Sequence, residues 1–205
     1  MGADPIRPSV YFYDRQGDQI DAESVVEVVG DLEVREDGAL SIGAEMLALS
    51  ELTISTHGQG ELVTGSVRVE SDGPVGGVLR LDVPSVGMAG IGASLPVAAA
   101  MFPVRRQGNG INTGAAVRNL EPETMTLTCA LMQNGRMLTE TEIDLDAGGQ
   151  VAHFIDELFK DADTSDFTGS VLCTAPPGGA FTGVALEMDA DNRIFTTLPM
   201  VPVLR

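Results

Sequence analysis

Tryptophan is absent from this 205-residue chain, tyrosine occurs twice, and aromatic residues make up 4% of it. Sugar-binding surfaces generally rely on exposed flat rings, because stacking supplies much of the contact. The one aromatic cluster, Tyr11-Phe12-Tyr13, is therefore the place to look for a glycan platform. Strand alternation would bury Phe12 and turn Tyr11 and Tyr13 to the other side, where ordinary sheet packing competes with an interaction surface. Histidine is as scarce, with only His57 and His153. A zinc site needs three or four clustered ligands, and neither histidine has a cysteine or a second histidine near it in sequence. No Gly-x-Ser-x-Gly elbow presents a nucleophile to His57, so a hydrolytic triad is not assembled. His57 is expected to bond within its own loop and to join Tyr11 and Tyr13 as a candidate interaction residue. His153 is expected on the polar side of a short helix.

Basic residues are few: 12 Lys and Arg stand against 30 Asp and Glu, a formal net charge of −18. Such a field repels phosphates and anionic lipid headgroups, which excludes nucleic acid and electrostatic membrane docking as partners. A solvated acidic surface is the ordinary reading of that charge, and salt would screen its self-repulsion. Nor does the start, Met1-Gly2-Ala3-Asp4-Pro5, have the basic and apolar parts of a signal peptide. Charge is absent between Asp82 and Arg105, but Pro84, Pro96, Pro103, Gly87, Gly90 and Gly92 interrupt any helix that would span a membrane there.

Helical periodicity is also nearly missing. With 24 Gly, 11 Pro and 43% apolar residues, the composition points to an all-β chain of short antiparallel strands around real cores. The exception is Val151–Lys160, where Val151, Phe154, Ile155, Leu158 and Phe159 sit at helical spacing and predict one short amphipathic helix.

What is present is repetition. Gly65-Ser66-Val67 opens a strand, Asp72-Gly73-Pro74 turns, Leu79-Arg80-Leu81-Asp82 runs back, and Leu95-Pro96 closes. Downstream, Gly169-Ser170-Val171, Pro176-Pro177-Gly178-Gly179, Leu186-Glu187-Met188-Asp189 and Leu198-Pro199 follow in the same order. Val10–Asp14 before Gln16-Gly17-Asp18 likewise matches Leu127–Leu131 before Gln133-Asn134-Gly135. Repetition at the spacing of a small domain implies a duplicated folding unit. The expected organisation is module 1 over 1–104, a linker at 105–110 (Arg105-Arg106-Gln107-Gly108-Asn109-Gly110), and module 2 over 111–205. The second copy carries an extra leading strand, Ile111–Asn119, for which the first has no counterpart. An unfilled sheet edge in module 1 would dock another strand, by self-association among other routes.

The Gly-Ser-Val openings, the Leu-x-(Leu/Met)-Asp strands, the terminal Leu-Pro and the segment Phe154–Phe159 resemble a repeat of large secreted or cell-surface bacterial proteins. The resemblance implies tandem immunoglobulin-like or fibronectin-type β-sandwiches, an exported stalk, adhesin or filament role, and no catalytic residues or cofactor.

Two candidate sites remain. Cys129 shares the alternating apolar face Leu127-Cys129-Leu131 and Cys173 shares one with Val171, so inward strands could bring them into a disulfide in an oxidising compartment. Two buried thiols are the alternative. Asp161, Asp163 and Asp166 have a spacing that could share a calcium ion, although Ser165 or Asp166 turning the chain into the next strand accounts for the same residues. Three functions follow as expectations: a non-enzymatic extracellular structural or adhesive module, a filament subunit that donates a strand into module 1, and a calcium- or polysaccharide-binding module.

Overall fold

The computed structural model describes residues 6–28, 31–42, 46, 50–58, 63–83, 87–108, 110–189 and 195–203. The chain is all-β and antiparallel, with one helical turn, α1 (Ile155–Leu158), and one 3-10 turn at Ala22–Ser24 among the described residues. No helix among the described residues is long and apolar enough to cross a membrane. The chain divides into two compact units, Met1–Gly76 and Gly77–Arg205.

The first unit is built on β1 (Ser9–Asp14), whose β-branched and aromatic residues favour extended backbone. One side of β1 pairs with β4 (Leu40–Ile42) at its start and β2 (Gln19–Ile20) at its end, and β3 (Leu32–Val34) continues from β4. The other side pairs along its whole length with β5 (Gly65–Glu70). Asp14 shapes the first turn, its carboxylate accepting from the backbone N–H groups of Gln16 and Asp18. Asp21 caps the 3-10 turn by accepting from Glu23 N–H. The core is small: Val10, Ala22, Val26, Leu32 and Leu40 are buried, with Phe12, Val25, Val34, Ile42 and Ile54 packed around them.

The second unit has a much larger core. A five-strand arm runs β11 (Arg136–Leu145), β10 (Met125–Gln133), β13 (Phe167–Thr174), β8 (Ala99–Arg106) and β16 (Val201–Pro202). A second arm runs β12 (Gln150–Phe154), β9 (Asn112–Asn119), β14 (Phe181–Met188) and β15 (Phe195–Pro199). Arg106–Asn112 joins the arms between β8 and β9, and the bridge Val97–Phe181 joins the segment before β8 to β14. The arms fold over one another and bury Phe102, Leu127, Leu131, Leu145, Val171 and Phe181 between them. Their approach is close at Gly183 in β14, where a Cβ would sit 3.0 Å from Phe102 Cζ on the other arm. Asn134 (φ 51) and Gly135 (φ 76) form the two-residue turn from β10 to β11, the left-handed pair such a hairpin requires. The hairpin of β6 (Val78–Val83) and β7 (Gly87–Gly92) lies beside β15, with the Thr197 hydroxyl donating to the Gly90 carbonyl.

Two features differ from the sequence expectation. Residues 105–110 do not lie between the units. Arg105 and Arg106 end β8, and Gln107–Ile111 closes a turn in which Gln107 N–H donates to Ile111 O and Gly110 N–H to Gln107 O, both at 2.9 Å. Charge and glycine there mark a corner of a sheet, because β8 has its partner, β13, inside the second unit. The division falls instead beside the glycines Gly76 and Gly77. The expected helix over Val151–Lys160 shrinks to the four residues of α1, since Gln150–Phe154 pair as β12 with β9. A strand handing over to a single turn placed apolar residues at what read as helical spacing.

Candidate functional site

The duplicated part of the sequence is duplicated in register. Ser9, Val10, Tyr11, Phe12 and Tyr13 face Glu70, Val69, Arg68, Val67 and Ser66 across β1 and β5. In the same order Thr128, Cys129, Ala130, Leu131 and Met132 face Thr174, Cys173, Leu172, Val171 and Ser170 across β10 and β13. Gly65, at the start of β5, and Gly169, the third residue of β13, have one role in both places. A Cβ on Gly65 would overlap the carbonyl oxygen of Tyr13, and a Cβ on Gly169 that of Met132. Tyr13 and Met132 are themselves equivalent positions, so the Gly-Ser-Val openings are required by close backbone approach.

The surroundings of these paired strands then diverge. In the second unit β13 is flanked by β8, and the second arm covers its inner face, so Phe167, Val171 and Cys173 are 3%, 1% and 1% exposed. In the first unit the equivalent residues Val63, Val67 and Val69 are 50%, 42% and 47% exposed. Among the described residues β5 pairs with β1 alone, leaving its outer row of backbone groups open. Arg68 and Glu70 pair with each other on its opposite face. Covering the exposed half of three valines would contribute about 3 kcal/mol to whatever covers them. This open edge with its apolar face is the candidate site.

The other long edge, β11, has a different character. It pairs only with β10 among the described residues, and Glu140, Glu142 and Asp144 stand exposed along its outward face. Like charges on an edge discourage another strand of this acidic chain from adding there.

The individually expected residues fall as follows. Cys129 and Cys173 form a disulfide between adjacent strands of one arm, with Cα atoms 4.1 Å apart and both residues essentially buried. Tyr11 and Tyr13 are half-buried on the outer face of β1, opposite to Phe12, which packs on the core. Tyr11 borders a shallow depression with Arg7, Arg35, Glu70 and Asp72. Arg35 is already engaged there: it pairs with Asp37 at 3.1 Å and donates to Ser9 Oγ at 3.3 Å. His57 bonds outside its own loop, contrary to expectation. Its Nε2 lies 2.8 Å from the Ser24 carbonyl, and its backbone N–H donates to Val25 O at 3.2 Å. It therefore ties the 50–58 segment to the 3-10 turn. His153 lies in β12 rather than on a helix, with Nδ1 4.0 Å from Glu157.

The carboxylates Asp161, Asp163 and Asp166 are not assembled as a calcium site. No group of three or more His, Cys, Asp or Glu among the described residues stands close enough to hold a metal. Asp163 Oδ1 instead accepts from Ser165 Oγ at 2.7 Å and Ser165 N–H at 3.1 Å, and the hydroxyl bond holds its pKa below the usual carboxylate value. The acid shapes the turn that leads into β13.

Two structural anchors were not anticipated. Asn119 is fully buried, and its Nδ2 donates to Glu123 O and Asp146 O while its Oδ1 accepts from Glu121 N–H. At the β8–β9 corner, buried Thr113 exchanges hydrogen bonds with the Arg105 backbone. Arg105 grips Glu187 through Nε (3.1 Å) and Nη2 (2.6 Å), and Arg106 reaches Asp156 (3.0 Å) and Thr164 (3.1 Å). Asn112 Nδ2 donates to Asp156 at 2.9 Å, which, ahead of the Arg106 charge, holds the Asp156 carboxyl below its usual range. Composition marks these residues only as polar, and their roles arise from strand pairings that bring distant segments together.

No family model, curated protein or solved structure matches the chain.

Proposed function

We propose that this protein is a non-enzymatic structural or adhesive module of the bacterial exterior, part of a surface stalk or adhesin built from tandem immunoglobulin-like sandwiches. The observation that carries this reading is the repeated register of β1–β5 and β10–β13, each with a glycine packed against a partner carbonyl at the equivalent position. A unit copied with its pairing intact serves a role that resides in repetition, because catalysis needs one constellation and gains nothing from a second partial copy. The buried cystine supports export, since such bonds persist in oxidising compartments. The net charge of −18 suits a solvated surface.

Protease treatment of intact source cells tests the location. Release of this chain's peptides, with Cys129 and Cys173 oxidised in the native material, is expected. Recovery only from the cytosol with both thiols reduced would overturn it. Substrate turnover by the purified chain that responds to His57→Ala would overturn the non-enzymatic role.

The open edge of β5 favours a second reading, a filament subunit completed by strand donation into the first unit.

A further inference from the structure

The two units differ in what the described residues place beside their equivalent strands, and the difference specifies the neighbour that β5 would take. Beside β13, the place is filled by β8: Phe102 faces Val171, Pro103 faces Ser170, Val104 faces Gly169, and Arg106 faces Phe167. Phe102 and Val104 point inward and are 0% and 4% exposed. Transferred to β5, those partners become Val67, Ser66, Gly65 and Val63. The segment required is extended, apolar at alternate residues, and free of acidic side chains that would oppose Glu70 and Asp72.

The chain carries a second segment of this kind. Phe102-Pro103-Val104-Arg105-Arg106 recurs as Val201-Pro202-Val203-Leu204-Arg205, sharing Pro-Val-x-Arg and setting Val201 and Val203 at the positions of Phe102 and Val104. Each follows a Leu-Pro, at Leu95-Pro96 and Leu198-Pro199. Val201 is 53% exposed although it lies in a strand, β16, that pairs with β8 on one side only among the described residues. One apolar segment thus stands half-exposed at one place in the molecule, and at another stands a sheet edge whose counterpart is filled by a segment of the same pattern.

We propose that the segment Val201-Pro202-Val203 of a second copy of this chain adds to the open edge of β5, antiparallel, in the position that β8 holds beside β13. Val201 of the donor lies against Val67 and Val203 over Gly65, and backbone groups of the donor satisfy the outer edge of β5. The contact is head-to-tail, so it propagates unless the geometry closes a ring. It deepens the structural reading above by naming the partner, and it rests on that reading. Two chains of net charge −18 repel, so the association strengthens as salt screens them, the reverse of an ion-paired interface.

Sedimentation velocity on the full chain over a range of concentration and sodium chloride tests the proposal. A series of oligomers that grows with both is expected. Two variants separate the donor from the acceptor. Val67→Asp blocks the acceptor edge, and Val201→Asp with Val203→Asp blocks the donor. Each alone stays monomeric, and an equimolar mixture forms a 1:1 heterodimer that grows no further, because the intact donor of one meets the intact acceptor of the other. Val67→Asn replaces Val67→Asp if circular dichroism shows the latter unfolded. A wild-type chain that stays monomeric throughout, variants that still polymerise, or a mixture that fails to recombine would overturn strand exchange between copies. A folded monomer without turnover leaves the structural reading standing, whereas turnover removes that reading whatever the sedimentation shows.

Discussion

Val10 faces Val69 across the first sheet at the register position that Cys129 and Cys173 hold in the second. The chain has therefore kept one backbone pairing and filled it with a covalent bond in one copy and two valines in the other. The double variant Val10→Cys, Val69→Cys should oxidise spontaneously and stabilise the first unit by about 2 kcal/mol or more, through the reduced entropy of its unfolded state. Thiol titration and thermal melts with and without reductant check it. Failure to form the bond would mean that the two pairings differ in side-chain geometry despite their common register.

Removing the native cystine has the opposite effect in the other unit. It closes a loop with a sequence separation of 44, for which chain entropy predicts a loss of about 4 kcal/mol. Cys129→Ala with Cys173→Ala should lower the denaturant midpoint of the second unit and leave that of the first unchanged. A shift in both transitions would show that the units do not unfold independently.

The two close-approach glycines make a matched pair. Gly65→Ala should destabilise the first unit and Gly169→Ala the second, each by about 1–3 kcal/mol, because the added methyl overlaps a backbone carbonyl that cannot retreat without breaking the ladder. Gly178→Ala is the control, since nothing lies within 4 Å of its would-be Cβ and its φ of 85° makes it a test of backbone conformation alone. Differential scanning calorimetry of the variants checks the assignment of each glycine to its own unit.

Asp156 links pH to stability. Its pKa is lowered in the folded chain, first by the Asn112 amide and, to a smaller extent, by the Arg106 charge, so the unfolded state binds its proton more readily. The stability it contributes is present above the unfolded value and is lost as pH falls through the carboxylate range toward the folded one. Asp156→Asn should cost less than about 1 kcal/mol at neutral pH, because solvent screens a side chain that is a third exposed, and should flatten the acid limb of the stability curve below about pH 4. Urea midpoints measured from about pH 2 to pH 6 check the slope.

The strands were the most legible part of the sequence. Alternation in Leu127-Thr128-Cys129-Ala130-Leu131 and the recurrence of Gly-Ser-Val are local signals, and the structure turns both into paired backbone. Features that depend on distant partners were not legible. Arg105-Arg106-Gln107-Gly108 reads as a linker by composition, and only the pairing of β8 with β13 makes it a corner. His57 carries no sign that its partner is the Ser24 carbonyl. Within the candidate site, Val63, Val67 and Val69 look like core residues, as their counterparts in the second unit are. Their exposure depends on what stands next to the strand, which no window of sequence contains.

The cystine described above also serves as a gauge. With Cys129 and Cys173 at 0% and 1% exposure, a small reductant reaches the sulfurs only when the second unit opens. The rate at which thiols appear under mild reduction therefore reports the equilibrium population of the open state, at temperatures where no melting is visible.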